Sequence, residues 1–150
     1  MKFEMDGWVD PSEKTILKVD LVETEDLRTK YPAMFSQPCE ISIGKGWIPL
    51  IDRLCSMLQR THDYNQHMGY TQVTVLQVKQ KFGGLRFYYS VPEQVHLSEK
   101  TKWSDWASYV HGAVDFAESM SHSICEQCGE RGKGRDHHGY YYTSCDAHKL

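Results

Sequence analysis

The most constraining feature of this sequence is the spacing of cysteine and histidine near its C-terminus. Cys125 and Cys128 form a C-x2-C pair, and Cys145 and His148 form a C-x2-H pair after sixteen intervening residues. Three thiolates and one imidazole are a ligand set that a tetrahedral zinc ion takes in structural sites. Each short gap lets one tight turn present two ligands to the same ion, and Gly129 suits such a turn. The spacing therefore predicts a zinc site at Cys125, Cys128, Cys145 and His148.

Four protein ligands leave a zinc ion no open position, which is typical of a structural rather than a catalytic metal. We therefore expect structural Zn²⁺ as the cofactor, and we expect metal binding to contribute to folding. The alternative is a group of reduced, buried cysteines, because cysteine is often buried as a small hydrophobic residue. That alternative does not account for two paired spacings that end on one histidine.

The composition is that of an ordinary globular domain. The chain has 150 residues, of which 40% are hydrophobic and 25% are charged. We therefore predict a single domain over 1–150 with its own core. The sequence contains no long apolar run and no secretory leader, so we expect a cytoplasmic protein. Cys39 and Cys55 are left outside the predicted zinc site and are expected to be reduced.

The formal net charge of the chain is -3, and its acidic residues are concentrated near the N-terminus. The segment 1–40 holds nine acidic and five basic side chains. This imbalance argues against a phosphate-binding surface along the whole chain and is compatible with docking on a basic protein. From charge alone, a solvated acidic face is the preferred interpretation of this pattern.

Two segments have the apolar periodicity of amphipathic helices. Over 48–65, apolar residues recur at intervals of three and four, and Pro49 occupies a first-turn position. Over 103–125, a longer stripe predicts the longest helix, which leads directly into the zinc site. The stripe comprises Trp103, Trp106, Ala107, Val110, Ala113, Val114, Ala117, Met120 and Ile124.

The residues before the first long helix give weaker signals. The segment 15–22 alternates loosely and predicts an edge strand. A short helical turn opens at Thr24 and is ended by Pro32. The segment 35–46 reads as a connection, and Trp47 after it either fills the core or lines a pocket, with the core interpretation preferred.

The segment 72–91 predicts a β-hairpin. Two runs rich in β-branched and aromatic residues flank Gly83-Gly84, and two glycines between such runs favour a two-residue turn. A turn at these glycines places Lys81 directly opposite Arg86. The predicted core face comprises Leu76, Val78, Phe82, Leu85, Phe87, Tyr89 and Val91.

The opposite face of this hairpin collects Lys79, Lys81, Arg86 and Tyr88, the first predicted partner-binding group. Like charges directly opposite each other are mildly destabilising, so Lys81 and Arg86 favour a nearby anion. That anion belongs either to this chain, as part of a solvated or internally paired stripe, or to a partner.

The interval between the two ligand pairs is basic, rich in glycine and aromatic. Arg131, Lys133 and Arg135 form the second predicted partner-binding group. Basic residues next to aromatic residues such as those at 140–142 can hold phosphates and stack bases, as zinc knuckles do. Nucleic acid binding is therefore an alternative function for this chain.

A third hypothesis is a small metal-dependent nuclease. Asp136, His137 and His138, set between the cysteine pairs, faintly resemble zinc-braced nucleases of the HNH kind. In those nucleases a later helix carries further metal ligands. Only six residues separate His138 from Cys145, which leaves no room for that helix.

Four phrases of the sequence together resemble a known group of proteins. They are Lys-Tyr-Pro at 30–32 with Phe35, Gly-Lys-Gly-Trp-Ile-Pro-Leu-Ile-Asp-Arg-Leu-Cys at 44–55, Val-Lys-Gln-Lys-Phe-Gly-Gly-Leu-Arg-Phe-Tyr at 78–88, and the terminal Cys-x2-Cys-Gly with Cys-Asp-Ala-His. In these phrases the chain resembles small proteins encoded by bacteriophages and prophages. The resemblance implies a host bacterial cytosol. Accessory phage proteins of this size are often inhibitors of bacterial defence systems, such as anti-CRISPR proteins.

Together these signals predict an α+β domain. It consists of a β-hairpin or small antiparallel sheet, two main helices packed on that sheet, and a zinc-knuckle-like module over 125–148. The function that the sequence favours is non-enzymatic binding of a macromolecule, with a protein of the host as the partner.

Overall fold

The computed structural model describes residues 24–93 and 100–150. Its helices are α1 (Thr24–Lys30), α2 (Ile48–Tyr64) and α3 (Lys100–Ser121). Its strands are β1 (Glu40–Ser42), β2 (Thr74–Lys81), β3 (Gly84–Ser90), β4 (Lys133–His137) and β5 (Tyr140–Ser144). These elements confirm the predicted α+β fold class. The edge strand predicted over 15–22 lies outside the described residues.

The larger sheet contains three strands in the order β1-β2-β3. β2 and β3 are antiparallel neighbours, whereas β1 runs parallel to β2. The prediction that 35–46 is only a connection is therefore wrong for the three residues of β1. A strand this short is held by its pairing with β2, and three residues are too few for a recognisable pattern of their own.

The helix predicted over 48–65 is confirmed as α2. Pro49 lies in its first turn, where a missing N–H costs nothing. Burial raises the pKa of the Cys55 thiol, so this cysteine is a core residue and not a reactive one. The side chains of α2 that are buried in the core are Ile48, Ile51, Leu54, Cys55 and Leu58.

The hairpin of β2 and β3 turns at Phe82 and Gly83, one residue earlier than predicted. Both residues have positive φ, 52° and 77°, as the two central residues of a type I′ turn require. Lys79 is therefore paired with Arg86 in place of Lys81, so the predicted pairing is wrong by two residues and the same side chains stay on each face. Gly84 lies in β3 instead of the turn.

Gly84, the second glycine of the pair, makes a packing contact near the end of α3. A Cβ atom at Gly84 would lie 2.5 Å from a ring carbon of His122, just beyond the end of α3. A side chain at position 84 would require the His122 ring to move away from the strand. The second glycine of the pair therefore serves tertiary packing, and Phe82 takes the first position of the turn.

The core face of the hairpin differs from the prediction at Leu76 and Phe82. A β-bulge between Val75 and Gln77 makes Leu76 an extra residue, and its side chain is 49% exposed. Phe82, in the turn, is 69% exposed. The hairpin residues that the structure buries fully are Val75, Val78, Leu85 and Phe87, while Tyr89 and Val91 are partly buried against them.

Helix α3 covers the free edge of β3. The hydroxyl of Ser121 accepts a hydrogen bond from the Leu85 N–H at 2.9 Å, and a carboxylate oxygen of Glu118 accepts one from the Phe87 N–H at 2.9 Å. These bonds satisfy donors that an edge strand would otherwise leave without protein partners. The buried apolar residues of α3 are Trp106, Ala107, Val110, Val114 and Ala117.

The end of α3 also differs from the prediction, because the helix stops at Ser121 and does not continue to Cys125. Tight turns follow it, in which the Ser123 N–H donates to the Met120 carbonyl and the Ile124 N–H donates to the Ser121 carbonyl. Met120, placed on the apolar stripe by the sequence pattern, is 39% exposed. The last turns thus redirect the chain from the helix axis toward the cysteine pair.

Candidate metal centre

The first ligand pair lies in a tight knuckle that follows α3. The Cys125 N–H donates to the Glu130 carbonyl at 2.7 Å, and the Gly129 N–H donates to the Cys125 carbonyl at 2.9 Å. Gly129 has a φ of 78°, in the left-handed region that glycine adopts readily. This closed turn brings the Cys125 and Cys128 sulfurs to one side of the backbone, as their two-residue spacing predicts.

The second ligand pair is delivered by a β-hairpin that the sequence did not reveal. β4 and β5 pair antiparallel, from Lys133 with Ser144 to His137 with Tyr140. Cys145 follows β5 directly and precedes a short 3-10 turn, Asp146–His148, which ends in the second ligand of this pair. The signal that could have found this hairpin is a His-Gly pair between a polar run and three tyrosines.

The four predicted ligands meet in one cluster. Their ligand atoms all lie within 4.8 Å of one another. The Cys128 and Cys145 sulfurs are 3.7 Å apart, and the Nδ1 atom of His148 lies 3.7 Å from the Cys125 sulfur and 3.2 Å from that of Cys145. Tetrahedral coordination with Zn–S bonds of ~2.3 Å requires sulfurs about 3.8 Å apart. The donor set and its spacing therefore fit a metal ion and are consistent with zinc.

The backbone of the knuckle favours negative charge on Cys125. Burial alone would raise the pKa of this thiol, but N–H groups of Cys145, Cys128 and Gln127 directed at its sulfur lower that pKa to about 6. Burial and the neighbouring thiols raise the pKa of Cys128 to about 11. One thiolate thus opposes a second in the bare protein, and a divalent cation relieves that repulsion.

The knuckle is docked on the segment that precedes α2. The Gly46 N–H donates to the Glu126 carbonyl at 2.8 Å, and the indole N–H of Trp47 donates to the Ile124 carbonyl at 2.9 Å. A Cβ atom at Gly46 would lie 2.0 Å from the Cys125 carbonyl oxygen. Trp47 is fully buried, which confirms its interpretation as a core residue. The Gly-Lys-Gly-Trp phrase is therefore the surface on which the metal centre sits.

The centre is also joined to both hairpins. The Thr143 hydroxyl donates to the Gly83 carbonyl at 2.6 Å, in the turn between β2 and β3. The Glu126 carboxylate accepts the Thr143 N–H at 2.8 Å, and burial raises the pKa of this carboxyl. The Gln80 side chain donates to the Tyr141 carbonyl at 2.8 Å. These bonds tie the knuckle, β5 and the tip of the first hairpin into one unit.

The four residues of the first partner-binding group lie on the outer face of the larger sheet. Lys79 is directly opposite Arg86, and the Lys79 Nζ lies 5.5 Å from the ring centroid of Tyr88. An Arg86 nitrogen is 3.9 Å from a carboxylate oxygen of Glu118 in α3. The like-charged pair is thus Lys79 with Arg86 and not Lys81 with Arg86. The nearby anion is the Glu118 carboxylate, which belongs to this chain.

The second partner-binding group, Arg131, Lys133 and Arg135, lines a depression of about 380 Å³ beside Cys145. The Arg135 guanidinium donates to the Asp146 carboxylate at 2.6 Å, and its side chain is only 14% exposed. Of this group, Arg135 is thus paired with an acidic residue of the same chain, whereas the side chains of Arg131 and Lys133 are exposed to solvent.

The residues of the nuclease hypothesis lie at the turn between β4 and β5. His138 and Gly139 form this turn with φ of 52° and 86°, and the Asp136 carboxylate accepts the Gly139 N–H at 2.7 Å. Asp136 thus stabilises the turn. Within residues 24–93 and 100–150, the Cys125–His148 cluster is the one group of His, Cys, Asp and Glu side chains arranged to hold a metal.

Comparison with known proteins found no relatives. No family model matches the chain, and neither the curated proteins nor the solved structures contain a match. Of the helices that the structure describes, none combines the length and apolar character needed to cross a membrane.

Substituting Gly46 with alanine tests the docking of the knuckle. The new Cβ would lie within 2.5 Å of backbone atoms on both sides of the knuckle, which cannot move without disturbing Cys125. We expect Gly46→Ala to lower the free energy of unfolding by about 1–3 kcal/mol, measured by urea denaturation.

The matched control is Gly134→Ala in β4, where a Cβ would meet no atom within 4 Å. This variant should unfold at the urea concentration of the parent protein or slightly above it. Equal stability of the two variants would show that the knuckle does not rest on Gly46.

Proposed function

We propose that this protein is a zinc-stabilised, non-enzymatic binding protein whose partner is a protein with an acidic surface. The metal part of this proposal rests on the ligand cluster, because three sulfurs and one imidazole nitrogen at tetrahedral spacing suit Zn²⁺ better than harder cations. Four protein ligands complete the coordination of the ion, so its role is structural. The residues that hold it are Cys125, Cys128, Cys145 and His148.

Zinc binding is tested at Cys128, the exposed cysteine of the cluster. Cys128→Ser removes one ligand with little change in packing, so we expect the purified protein to lose most of its zinc and to unfold at a lower temperature. Zinc per chain is measured by plasma mass spectrometry after dialysis against a weak chelator.

Cys39→Ser is the control, because Cys39 is a free thiol outside the cluster. It should retain one zinc ion per chain. Full zinc content in Cys128→Ser, or a folded parent protein that never acquires zinc, would contradict the proposal.

The observation that carries the binding function is the charge on the outer face of the sheet. Lys79 and Arg86 are paired across the strands, although like charges in that position destabilise a sheet, and Glu118 near Arg86 offsets one of the two charges. Lys81 is two residues from Lys79 in β2 and adds a third cation on the same face of the sheet. The side chain of Tyr88, on this face too, is 41% exposed. Arginine and tyrosine are enriched at the energetic centres of protein interfaces. This face suits an acidic protein surface.

A protein partner has more support than nucleic acid. The net charge of -3 repels any anionic partner at long range, but most strongly a nucleic acid, which carries a phosphate charge at every nucleotide. In the second group, the Arg135 guanidinium already binds Asp146. The resemblance to phage-encoded proteins supports a partner from the host cell, and in that setting we propose inhibition of a host defence component, as anti-CRISPR proteins do.

Reversing two charges tests the proposed interface. Lys79→Glu with Lys81→Glu should reduce capture of the partner from host lysate by about tenfold or more, because attraction to carboxylates becomes repulsion. The fold should survive, since a carboxylate at 79 would face Arg86. Capture is quantified by mass spectrometry of the bound proteins at low and high salt.

The matched control is Arg53→Glu with Arg60→Glu, which makes the same change in net charge at exposed positions of α2. This variant should capture as much partner as the parent. If both variants lost the same amount of partner capture, the loss would be due to the change in net charge, and the outer face of the sheet would not be the interface.

A further inference from the structure

The turn of the first hairpin contains a residue that neither turn geometry nor solvation favours. Phe82 has a φ of 52° and a side chain that is 69% exposed. Type I′ turns prefer asparagine, aspartate or glycine at this position, and a bulky residue with positive φ is an outlier. A conformationally costly residue that presents an aromatic ring to solvent points to a role in contact with another molecule.

Exposure alone does not single out Phe82. Phe116 of α3 is 67% exposed, but it lies in regular helical backbone. Phe82 differs because it combines exposure with positive φ and with a second ring from a different hairpin. The ring of Tyr141, itself 49% exposed, lies 6.4 Å from that of Phe82 at an angle of 69°. This edge-to-face arrangement is a favourable one for two aromatic side chains.

The two rings are held in place by the contacts that dock the metal centre. Thr143 of β5 donates its hydroxyl hydrogen bond to the carbonyl of Gly83, the second residue of the turn that carries Phe82. Gln80 of β2 holds the backbone carbonyl of Tyr141. The aromatic pair is therefore assembled only when the module of β4 and β5 is seated on the first hairpin, and it is presented with little freedom to rearrange.

The aromatic pair is continuous with the cationic face. The Lys81 Nζ lies 5.4 Å from the ring centroid of Phe82, and the Lys79 Nζ lies 5.5 Å from that of Tyr88. An apolar wedge with lysines at its side is complementary to an apolar pocket bordered by carboxylates.

We propose that Phe82 and Tyr141 form the apolar anchor of the interface, inserting into a pocket on the partner protein that is rimmed by aspartate and glutamate. This inference rests on the proposed function and extends it, because it assigns the centre of the interface and the chemistry of the complementary site. Two rings at 69° offer no parallel pair of faces for successive bases, so the geometry favours a pocket in a protein over a single strand of nucleic acid.

Substituting Phe82 with asparagine separates binding from folding. Asparagine followed by Gly83 is the preferred type I′ sequence, so Phe82→Asn should unfold at the same urea concentration as the parent or a higher one. The same change should weaken partner capture about tenfold or more, as expected when a hot-spot side chain is truncated. An unaltered affinity would overturn the proposal.

The matched control is His138→Asn in the second hairpin, where His138 has the same φ of 52° before Gly139. This variant also creates the preferred Asn-Gly sequence of a type I′ turn, but it leaves Phe82 and Tyr141 unchanged, so it should retain full partner capture. Equal losses of capture from Phe82→Asn and His138→Asn would also overturn the proposal.

Photo-crosslinking identifies what occupies the anchor. Phe82 and, in a second protein, Phe116 are each replaced by p-benzoylphenylalanine and irradiated in a lysate of the cells that carry the gene. We expect an adduct from position 82, absent from position 116, to a protein segment with apolar and acidic residues, and we expect Lys79→Glu with Lys81→Glu to abolish it. A nucleic acid adduct, an adduct to a second copy of this chain, equal adducts from both positions, or none would overturn the proposal.

The two proposals fail in different ways. If charge reversal at Lys79 and Lys81 abolishes capture while Phe82→Asn leaves it intact, the cationic face stands and the aromatic anchor is wrong. If charge reversal leaves capture intact, the proposed function fails at its own interface.

Discussion

The structure depends on a close contact between two stretches of backbone. Gly44 and Gly46 lie so near the knuckle that a Cβ on either would come within 2.1 Å of a carbonyl oxygen of Cys125 or Glu126. The Trp47 indole, buried in the core, bonds to the carbonyl just before Cys125. The turn that carries the first two ligands is therefore packed against the hydrophobic core and is not a separate unit.

This contact links metal binding to the surface that we propose for binding. The second ligand pair follows β5, and β5 holds the tip of the first hairpin through Thr143 and Gln80. The Phe82–Tyr141 pair depends on these contacts, because one ring comes from each hairpin. In the proposed function, a zinc ion with four protein ligands would contribute to recognition by fixing the geometry of side chains that it does not contact.

Signals that reside in local pattern were sufficient to predict much of this molecule. The four ligands, the helix α2 and the existence of the β2–β3 hairpin follow from spacing and periodicity. The errors arise where tertiary contact matters: Gly84 packs against the His122 ring and lies outside the turn, and β1 is held by its pairing with β2. Phe82 was expected in the core because alternation along a strand carries no information about which residue begins the turn. The β4–β5 hairpin lacked the apolar alternation by which strands are recognised.

Amide hydrogen exchange with and without a strong chelator tests the central claim most directly. If the metal centre is part of the core packing, removing the metal should abolish protection at the Gly46 amide and at the Trp47 indole N–H, as well as across 125–148. The same experiment should leave the middle of α2 protected for longer. Full protection at Gly46 and Trp47 in a chelated protein whose segment 125–148 exchanges freely would contradict the account.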